Sequence, residues 1–400
     1  MTRLFALTGR IQNYAWGGFE FISELLGKEK SNEPSAEYWL GAHVNAPSTI
    51  LTSDGERALN DYIDSNTIEK LGKKIAVNFG RLPFLFKVLD VCKMLSIQVH
   101  PSKIEAEKGF RFENEQGIPL TAANRNYKDD NHKPEIMVAL SEFWLLHGFL
   151  PKIELMEMLK KTPEFSCLVS VFREEGYLGL YKNVMEQSVA QSNAMLSPLV
   201  DRILPLYLDG KLEKSNPDYW AAKAVDCAVD KSVFDKGIYS IYFFNVLKVD
   251  KGEAVFQDAG VPHAYLEGQN MELMANSDNV LRGGLTPKHV DVPELLKHVV
   301  FDETHPTILK GELQSDGLER IYTTPAPDFQ LSQIHLSNDA MYKADARTAE
   351  IIIVIEGEID IVEGDSELKF HKGTCAFLES GSNYRISSAS SAVIYKATAP

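Results

Sequence analysis

The sequence predicts a mainly β protein with two jelly-roll domains, the first of which is interrupted by an inserted α-helical domain. Three observations lead to this prediction. Segments with strand-like patterns lie on both sides of the middle of the 400-residue chain. Helical spacing without internal turn clusters runs from residue 151 to residue 237. Short strands joined by glycine turns follow beyond residue 303, a pattern typical of a second jelly roll.

The first part of the chain begins with short strands and loops. Residues 1–60 are rich in aromatic residues and turn formers, and a brief helix is predicted around Leu59 to Leu71. The apolar run from Leu82 to Leu89 has the length of a strand but contains Lys87. We interpret this lysine either as a solvent-reaching residue on an edge strand or as a cation directed into a cavity.

Alternating residues between Leu95 and Pro101 form the first candidate ligand set. A strand period of two places Ser96, Gln98 and His100 on one face. A glutamine carbonyl oxygen and a neutral imidazole nitrogen are both competent metal ligands, so Gln98 and His100 can supply half of a metal site. The alternative is that the three side chains form the solvated face of a sheet.

A charged segment ends at Glu135, directly before the apolar strand Ile136 to Leu140. Glu135 can complete a mixed set of nitrogen and oxygen ligands with Gln98, His100 and His263. Such a set suits zinc, but its donor chemistry is also acceptable to manganese, cobalt, nickel or iron. The alternative for the charged segment alone is a solvated turn.

The segment from Gly260 to Lys288 holds the densest group of ligand, acid/base and anion-binding residue types. His263 opens a short predicted strand that carries Tyr265 on the same face and ends at Gly268. Beyond it we predict a polar loop that either binds a ligand or is solvated. Its polar and charged residues are Glu272, Asn276, Asp278, Asn279, Arg282 and Lys288.

The domain boundaries follow from these patterns. The helical insert spans residues 151–237, so the first domain comprises residues 1–150 and 238–302, with a strand that begins at Ile238. Glu135 and His263 lie on opposite sides of the insert, so they meet only if their strands belong to one sheet. Residues 303–400 form the second domain. His371 has no partner at ligand spacing there, so we expect a structural domain without metal.

Composition and charge exclude several classes of function. The chain has 44% hydrophobic residues and a formal charge of −15 at pH 7, which indicates a globular protein and argues against non-specific binding to nucleic acid or anionic membranes. The four cysteines form no CxxC pair, so we expect neither a disulfide framework nor a cysteine zinc site. No signal peptide and no run of about 18 apolar residues is visible. We therefore expect a cytoplasmic protein with no membrane span.

Three stretches resemble the motifs of type I phosphomannose isomerases in order and spacing: SIQVHP, YKDDNHKPE and HAYLEGQNMELMANSDNVLRGGLTPK. The last two are long and highly specific. The resemblance extends to AEYWLGAH and LPFLFKVL, and we expect it to cover the whole chain. Gly283 departs from the family, which commonly has alanine at this position. The C-terminal domain resembles a cupin domain, and the family places both jelly rolls in the cupin superfamily.

The resemblance implies one zinc ion per chain, bound by Gln98, His100, Glu135 and His263. It also implies a sugar-phosphate pocket with the substrate-binding residues Lys87, Ser96, Tyr265 and Lys288 and the catalytic residues His132, Lys133, Glu272 and Arg282. The implied reaction interconverts mannose 6-phosphate and fructose 6-phosphate. This aldose–ketose isomerisation moves a proton between C2 and C1 through a cis-enediol or enediolate.

The chemistry of that reaction explains these residue types. A base must remove a weakly acidic proton beside a carbonyl, an electrophile must hold the enediolate, and an acid must return the proton. His132, Lys133 and Glu272 are candidates for the proton shuttle. Arg282 either stabilises the enediolate or holds the phosphate together with Lys288, Lys87 and Ser96. No glycine-rich nucleotide-type phosphate loop is present, so we expect side chains to bind the phosphate.

A catalytically silent cupin that senses a sugar phosphate is the alternative function. The complete set of ligands and proton-handling groups favours the isomerase, because a sensor does not require it. A bifunctional isomerase and nucleotidyltransferase is disfavoured, since no glycine-rich nucleotidyltransferase segment is visible. We expect a small-molecule sugar phosphate as the partner and a monomer or simple homo-oligomer as the assembly.

Overall fold

The computed structural model describes residues 2–337 and 340–400. The first strands are β1 (Leu4–Thr8), β2 (Arg10–Gln12), β3 (Glu37–Gly41), β4 (Thr49–Thr52), β5 (Gly55–Ala58), β6 (Phe84–Val91), β7 (Gln98–Val99), β8 (Glu135–Ala139) and β9 (Phe143–Phe149). The helices among them are α1 (Phe21–Leu25), α2 (Leu59–Asp64), α3 (Thr67–Leu71), α4 (Lys73–Phe79) and α5 (Lys103–Glu115).

Helices then follow one another without an intervening strand. They are α6 (Lys152–Lys161), α7 (Leu168–Met185), α8 (Val189–Leu208), α9 (Pro217–Asp226) and α10 (Gly237–Phe243), with a 3₁₀ turn at Pro163–Phe165. Their apolar side chains form a core with Trp144 and Leu146 of β9 and with Ala264. The helices therefore cover one face of the sheet that contains β9.

The prediction of a strand that begins at Ile238 is wrong for the first part of that segment. Residues 237–243 form α10, and the strand starts only at Phe244. Every residue of α10 is buried, and several of them pack among the neighbouring helices. A short apolar run that is buried on all sides has no solvated face, so its periodicity does not distinguish helix from strand.

The remaining elements return to β structure. They are β10 (Phe244–Val249), β11 (Ala254–Gln257), β12 (His263–Ala275), β13 (Leu281–Arg282), α11 (Val292–His298), β14 (Glu312–Leu313), β15 (Glu319–Tyr322), β16 (Gln330–Leu336), β17 (Met341–Asp345), β18 (Glu350–Glu356), β19 (Glu358–Glu363), β20 (Ser366–His371), β21 (Cys375–Leu378), β22 (Asn383–Ser387) and β23 (Ala392–Thr398). The prediction of a mainly β protein is thus confirmed, and these strands pair antiparallel.

Three sheets contain all of these strands. A ten-stranded sheet has the order β10-β9-β12-β6-β3-β2, with β7, β8, β11 and β13 attached beside this path. A nine-stranded sheet has the order β14-β15-β16-β23-β18-β21-β1-β4-β5, and β17-β22-β19-β20 form a four-stranded sheet. Strands β1, β4 and β5 therefore join strands from the other end of the chain.

The nine-stranded sheet is buried on both faces. Ile351 and Ile353 of β18 pack with residues of the ten-stranded sheet, whereas Ile352 and Val354 pack with the four-stranded sheet. A strand that is covered on both sides needs apolar residues at consecutive positions. This explains the unbroken apolar run in β18.

The opposite face of the ten-stranded sheet, which we call the inner face, carries Leu89, Met137 and Leu145. A β-bulge between Tyr265 and Glu267 shifts the register of β12 on this sheet. Because a bulge shifts the side-chain alternation by one residue, His263 before it and Glu272 after it share the inner face.

The strand that begins at His263 does not end at Gly268, contrary to expectation. It continues to Ala275, with Gly268 inside it at a φ of 124°. Asn270 to Met274 lie in the middle of the sheet because β6 and β8 pair with them from both sides. Of the polar residues that suggested a loop, Glu272 lies in the strand and points onto the inner face, whereas Asn276, Asp278 and Asn279 follow the strand in a loop.

The described part of the chain contains no helix that is both long and apolar enough to cross a membrane.

Candidate metal centre

Three buried side chains converge at one end of the inner face. His100 directly follows β7, Glu135 opens β8 and His263 opens β12. One ligand atom from each lies within 4.8 Å of the others. His100 Nε2 is 3.5 Å from Glu135 Oε1, and His263 Nε2 is 3.3 Å from Glu135 Oε2. Residues more than 160 positions apart in the sequence thus form one cluster.

Backbone contacts orient both imidazole rings. His100 Nδ1 donates to the Asn279 carbonyl oxygen over 2.8 Å, and His263 Nδ1 donates to the Val261 carbonyl oxygen over 2.9 Å. Each ring therefore has its lone pair at Nε2, and both Nε2 atoms are buried without a hydrogen-bond partner among the residues that the structure describes. Metal-binding histidines characteristically have such a backbone or carboxylate partner on the second nitrogen. The donor set fits a metal ion.

The charge states of these groups favour ligation. Burial lowers the pKa of His100 to about 4, so the ring is neutral near pH 7. Burial by itself raises the pKa of Glu135, but the positive charge of Lys133 is the largest opposing influence, and this pKa lies well below its ordinary value. A neutral imidazole beside an ionised carboxylate is the form in which both bind zinc.

Gln98 and Arg282 lie in one row with His263. In the strand register Arg282 is opposite Gln98, and Gln98 is opposite His263. Directly opposite residues of antiparallel strands project their side chains on the same face, with Cβ atoms about 5 Å apart. The amide ligand and the guanidinium proposed from sequence therefore lie on the same face as the imidazole.

Lys87 and Glu272 form a buried ion pair on the same face. They are opposite one another on β6 and β12, with Lys87 Nζ 2.8 Å from Glu272 Oε2. Burial by itself lowers the pKa of Lys87, but the carboxylates of Glu272 and Glu37 outweigh it and raise it. Burial raises the pKa of Glu272 despite the lysine. The pKa of Tyr265 is also raised, first by burial and second by the nearby carboxylate of Glu272.

Two cations stand at the more open side of this face. Arg282 is half-buried and Lys288 is exposed as a residue. Burial lowers the pKa of Lys288, and the charge of Arg282 lowers it further, so the two cations are neighbours. Ser96 is half-buried in the segment just before β7.

His132 and Lys133 point to different partners. Lys133 Nζ lies 3.3 Å from Glu135 Oε1, so this lysine belongs to the cluster. His132 Nε2 instead lies 2.8 Å from the Oδ2 of Asp328, a buried residue of the loop between β15 and β16. The structure thus joins His132 to the C-terminal part of the chain.

Sequence reasoning missed several residues of this region. Glu37 lies 3.5 Å from Lys87 Nζ, and the Trp39 indole donates to Glu37. Glu37 and Trp39 are two positions apart in β3, and the strand period of two could have placed both side chains on one face. His147, Gln257 and Asp328 carry no local motif, so only the strand register or the tertiary fold reveals them.

Comparisons with known proteins point to one family. Residues 4–152 match the family model described as phosphomannose isomerase type I, catalytic domain. Mannose-6-phosphate isomerase of Escherichia coli is 36% identical over 378 residues, which cover 93% of this chain and 94% of that protein. The chain belongs to the type I phosphomannose isomerase family. The human mannose-6-phosphate isomerase is 33% identical, with 89% of this chain and 88% of that protein covered.

Solved structures of phosphomannose isomerases share the fold. Mannose 6-phosphate isomerase from Salmonella typhimurium, bound to the substrate fructose 6-phosphate and to zinc, aligns with a TM-score of 0.87 at 32% identity. A zinc-bound mannose 6-phosphate isomerase aligns with a TM-score of 0.85, also at 32% identity. Both alignments cover 100% of each chain. The predicted family is confirmed over the whole chain, and the protein is an enzyme of this family.

Proposed function

We propose that the protein is a zinc-dependent isomerase that interconverts mannose 6-phosphate and fructose 6-phosphate. The observation that carries the proposal is the buried cluster of His100, Glu135 and His263, in which two oriented imidazole nitrogens lack a partner. Both solved relatives described above contain zinc, and one of them holds a sugar-phosphate substrate. The family membership makes the same chemistry the best-supported function here.

Zinc would be held by His100, Glu135 and His263, with the carbonyl oxygen of Gln98 as a fourth ligand. This set of nitrogen and oxygen donors is suited to zinc. When bound, zinc supplies Lewis acidity or orientation beside the sugar oxygens. Lys133 lies near Glu135 and adds positive charge to the site.

Proton transfer is assigned to Glu272 and Lys133. A base removes the C2 proton of the open-chain aldose, the electron pair forms the C1–C2 double bond, and charge develops on O1. Return of a proton to C1, with transfer of the O2 proton to O1, gives the ketose. The raised pKa of Glu272 suits a group that both accepts and returns a proton. His132 bonds to Asp328, so it supports the loop that carries Lys133.

The cations at the open side bind the rest of the substrate. Arg282 stabilises the enediolate, and Lys288 binds the phosphate with the help of Ser96. Guanidinium and ammonium donors form strong charge-assisted hydrogen bonds with such oxyanions. Lys87 holds Glu272 in place, and the hydroxyl of Tyr265 contributes to the sugar pocket.

We also propose that the sheets form two cupin-type jelly rolls, with the helical domain inserted in the first. The segments are residues 1–150 with 238–302, residues 151–237, and residues 303–400. Strand pairing supports a refinement of this division. Strands β1, β4 and β5 belong with the C-terminal jelly roll, and α10 packs with the helical insert.

The reaction is tested by removing and restoring the metal. The purified protein is treated with chelator and incubated with mannose 6-phosphate, with and without Zn²⁺, while fructose 6-phosphate is followed. We expect turnover only with zinc. His263→Ala should bind zinc at least tenfold more weakly and lose turnover. Arg282→Ala should keep zinc and lose most of the activity, about 100-fold or more in kcat.

His371→Ala is the matched control, because His371 is exposed and lies on β20, away from the cluster. It should leave zinc content and turnover unchanged. Full activity in either His263→Ala or Arg282→Ala would contradict the site. A wild-type protein that binds zinc and sugar phosphate but never turns over would favour the silent sensor.

A further inference from the structure

A buried pair of polar side chains, His147 and Gln257, lies beside the metal cluster and has no role in the mechanism above. His147 is on β9 and Gln257 is on β11, and both are buried. His147 Nδ1 lies 2.7 Å from the Oε1 of Gln257. Because an amide oxygen can only accept, the ring nitrogen is the donor, and His147 has its lone pair at Nε2.

The strand register places each member of the pair opposite a candidate metal ligand. His147 is opposite His263 on β12, and Gln257 is opposite Glu135 on β8. Directly opposite residues share a face, with Cβ atoms about 5 Å apart. The hydrogen bond between His147 and Gln257 therefore links the positions next to two of the ligands.

Gln257 has an unsatisfied donor. Its side chain is 0% exposed, and its Nε2 has no hydrogen-bond partner in the described part of the chain. A buried amide N–H without a partner is destabilising, so such groups are rare in folded proteins. The carboxylate of Glu135 is the acceptor on the residue directly opposite.

We propose that His147 and Gln257 are positioning residues for the metal centre. His147 orients the Gln257 amide, and the Nε2–H group of that amide donates to the Glu135 carboxylate when the site is loaded. In the present structure the carboxylate oxygens face His100, His263 and Lys133. With the histidine lone pairs directed to a metal, the Glu135 carboxylate would be able to accept from Gln257. The inference rests on the proposed zinc site.

The alternative is that the two side chains only satisfy each other within the core. The two explanations differ in what happens to metal affinity. A hydrogen-bond donor to a ligating carboxylate fixes its orientation, and loss of such a partner typically weakens metal binding about 10- to 100-fold. A purely structural pair changes stability but not affinity.

The test measures zinc affinity without substrate, by competition with a chromophoric chelator on the full-length chain. Gln257→Met removes the amide at similar length and should weaken zinc binding about 10- to 100-fold. His147→Leu should weaken it as well, by a smaller factor. His147→Asn should remain close to wild type, because its amide N–H can replace the Nδ1 donor. Rescue by asparagine but not leucine identifies the donor as the relevant feature.

Gln333→Met is the matched control. Gln333 is also a buried glutamine with a side-chain partner, and its Nε2 donates to Tyr395 over 2.7 Å in the C-terminal part of the chain. This variant should lose stability without a change in zinc affinity. The absorption spectrum of the cobalt-substituted protein gives a second readout, and its bands should shift in Gln257→Met but not in Gln333→Met.

A zinc affinity of Gln257→Met within twofold of wild type, with an unchanged cobalt spectrum, would overturn the inference. Equal losses in His147→Asn and His147→Leu would overturn the role given to the Nδ1 donor. Neither measurement uses the isomerase reaction. A wild-type protein that binds zinc but does not isomerise mannose 6-phosphate would refute the proposed function and leave this inference standing.

Discussion

Gly283 directly follows β13 and lies against a helix of the insert. A Cβ added to Gly283 would lie 2.8 Å from the hydroxyl oxygen of Tyr181 and 2.9 Å from Cγ2 of Ile97. Tyr181 belongs to helix α7 and is fully buried. Its hydroxyl occupies the space that an alanine methyl would need, so glycine fits this position better than alanine.

We predict that Gly283→Ala destabilises the protein by about 1–3 kcal/mol, the usual cost of overpacking a core. Tyr181→Phe removes the hydroxyl, so it should recover part of this loss in the double variant. Urea unfolding of the two single variants and the double variant measures the coupling. Strictly additive effects would mean that the tyrosine hydroxyl is not the obstacle.

The sequence could predict those site residues that lie on one short segment. Strand alternation alone places the side chains of Gln98 and His100 on one face, and this inference requires no knowledge of the fold. It could not reveal the partnership of His147 with Gln257 or of His132 with Asp328. These contacts depend on strand register and loop packing between residues more than 100 positions apart. No local pattern encodes them.

Strand β12 shows how an element can combine residues that sequence periodicity separates. His263 and Glu272 are nine positions apart, so a regular strand would place them on opposite faces. The bulge at Tyr265–Glu267 brings both to the inner face. The sequence indicated a break at Gly268 but could not distinguish the end of a strand from a bulge, because glycine suits both.

We predict that Gly268→Ala lowers both stability and kcat. A Cβ at Gly268 would lie 2.6 Å from the backbone oxygen of Glu142, and the φ of 124° disfavours any residue with a Cβ. Relief of this strain would shift Glu272 relative to His263. We expect a loss of about 2 kcal/mol or more in the free energy of unfolding and at least a tenfold fall in kcat.

Gly364→Ala is the control for this prediction. Gly364 also has a positive φ, of 56°, but a Cβ there meets no atom within 4 Å. It should cost only about 1 kcal/mol in stability and leave kcat unchanged. If Gly268→Ala kept the wild-type kcat, the bulge would not be needed to align the two groups.

In the molecule as a whole, the C-terminal part of the chain contacts the loop that leads to the metal centre. Asp328 is 1% exposed and bonds to His132, three residues before Glu135. Ala326 and Phe329, which flank Asp328 in its loop, belong to the core between the ten-stranded and nine-stranded sheets. The C-terminal sheets thus support the site without supplying one of its proposed ligands.

We predict that Asp328→Ala loosens residues 129–133 because it removes a charge-assisted hydrogen bond. Such a bond contributes about 1.5–3 kcal/mol. Amide hydrogen exchange in this segment should therefore accelerate by about tenfold or more. Asp365→Ala, in an exposed turn of the C-terminal part, should leave the exchange unchanged. Unchanged exchange in Asp328→Ala would show that other contacts hold the loop.

The pairing of β1 with β21 determines when the nine-stranded sheet can be completed during protein synthesis. Leu4 pairs with Leu378 and Leu7 with Cys375, so β1 leaves the ribosome more than 360 residues before the strand it pairs with. At about 5–20 residues per second, this interval lasts roughly 20–70 seconds. Meanwhile the β1 edge that later meets β21 has open backbone groups, the kind of edge that attracts other chains. A nascent chain stalled before Cys375 would keep that edge exposed.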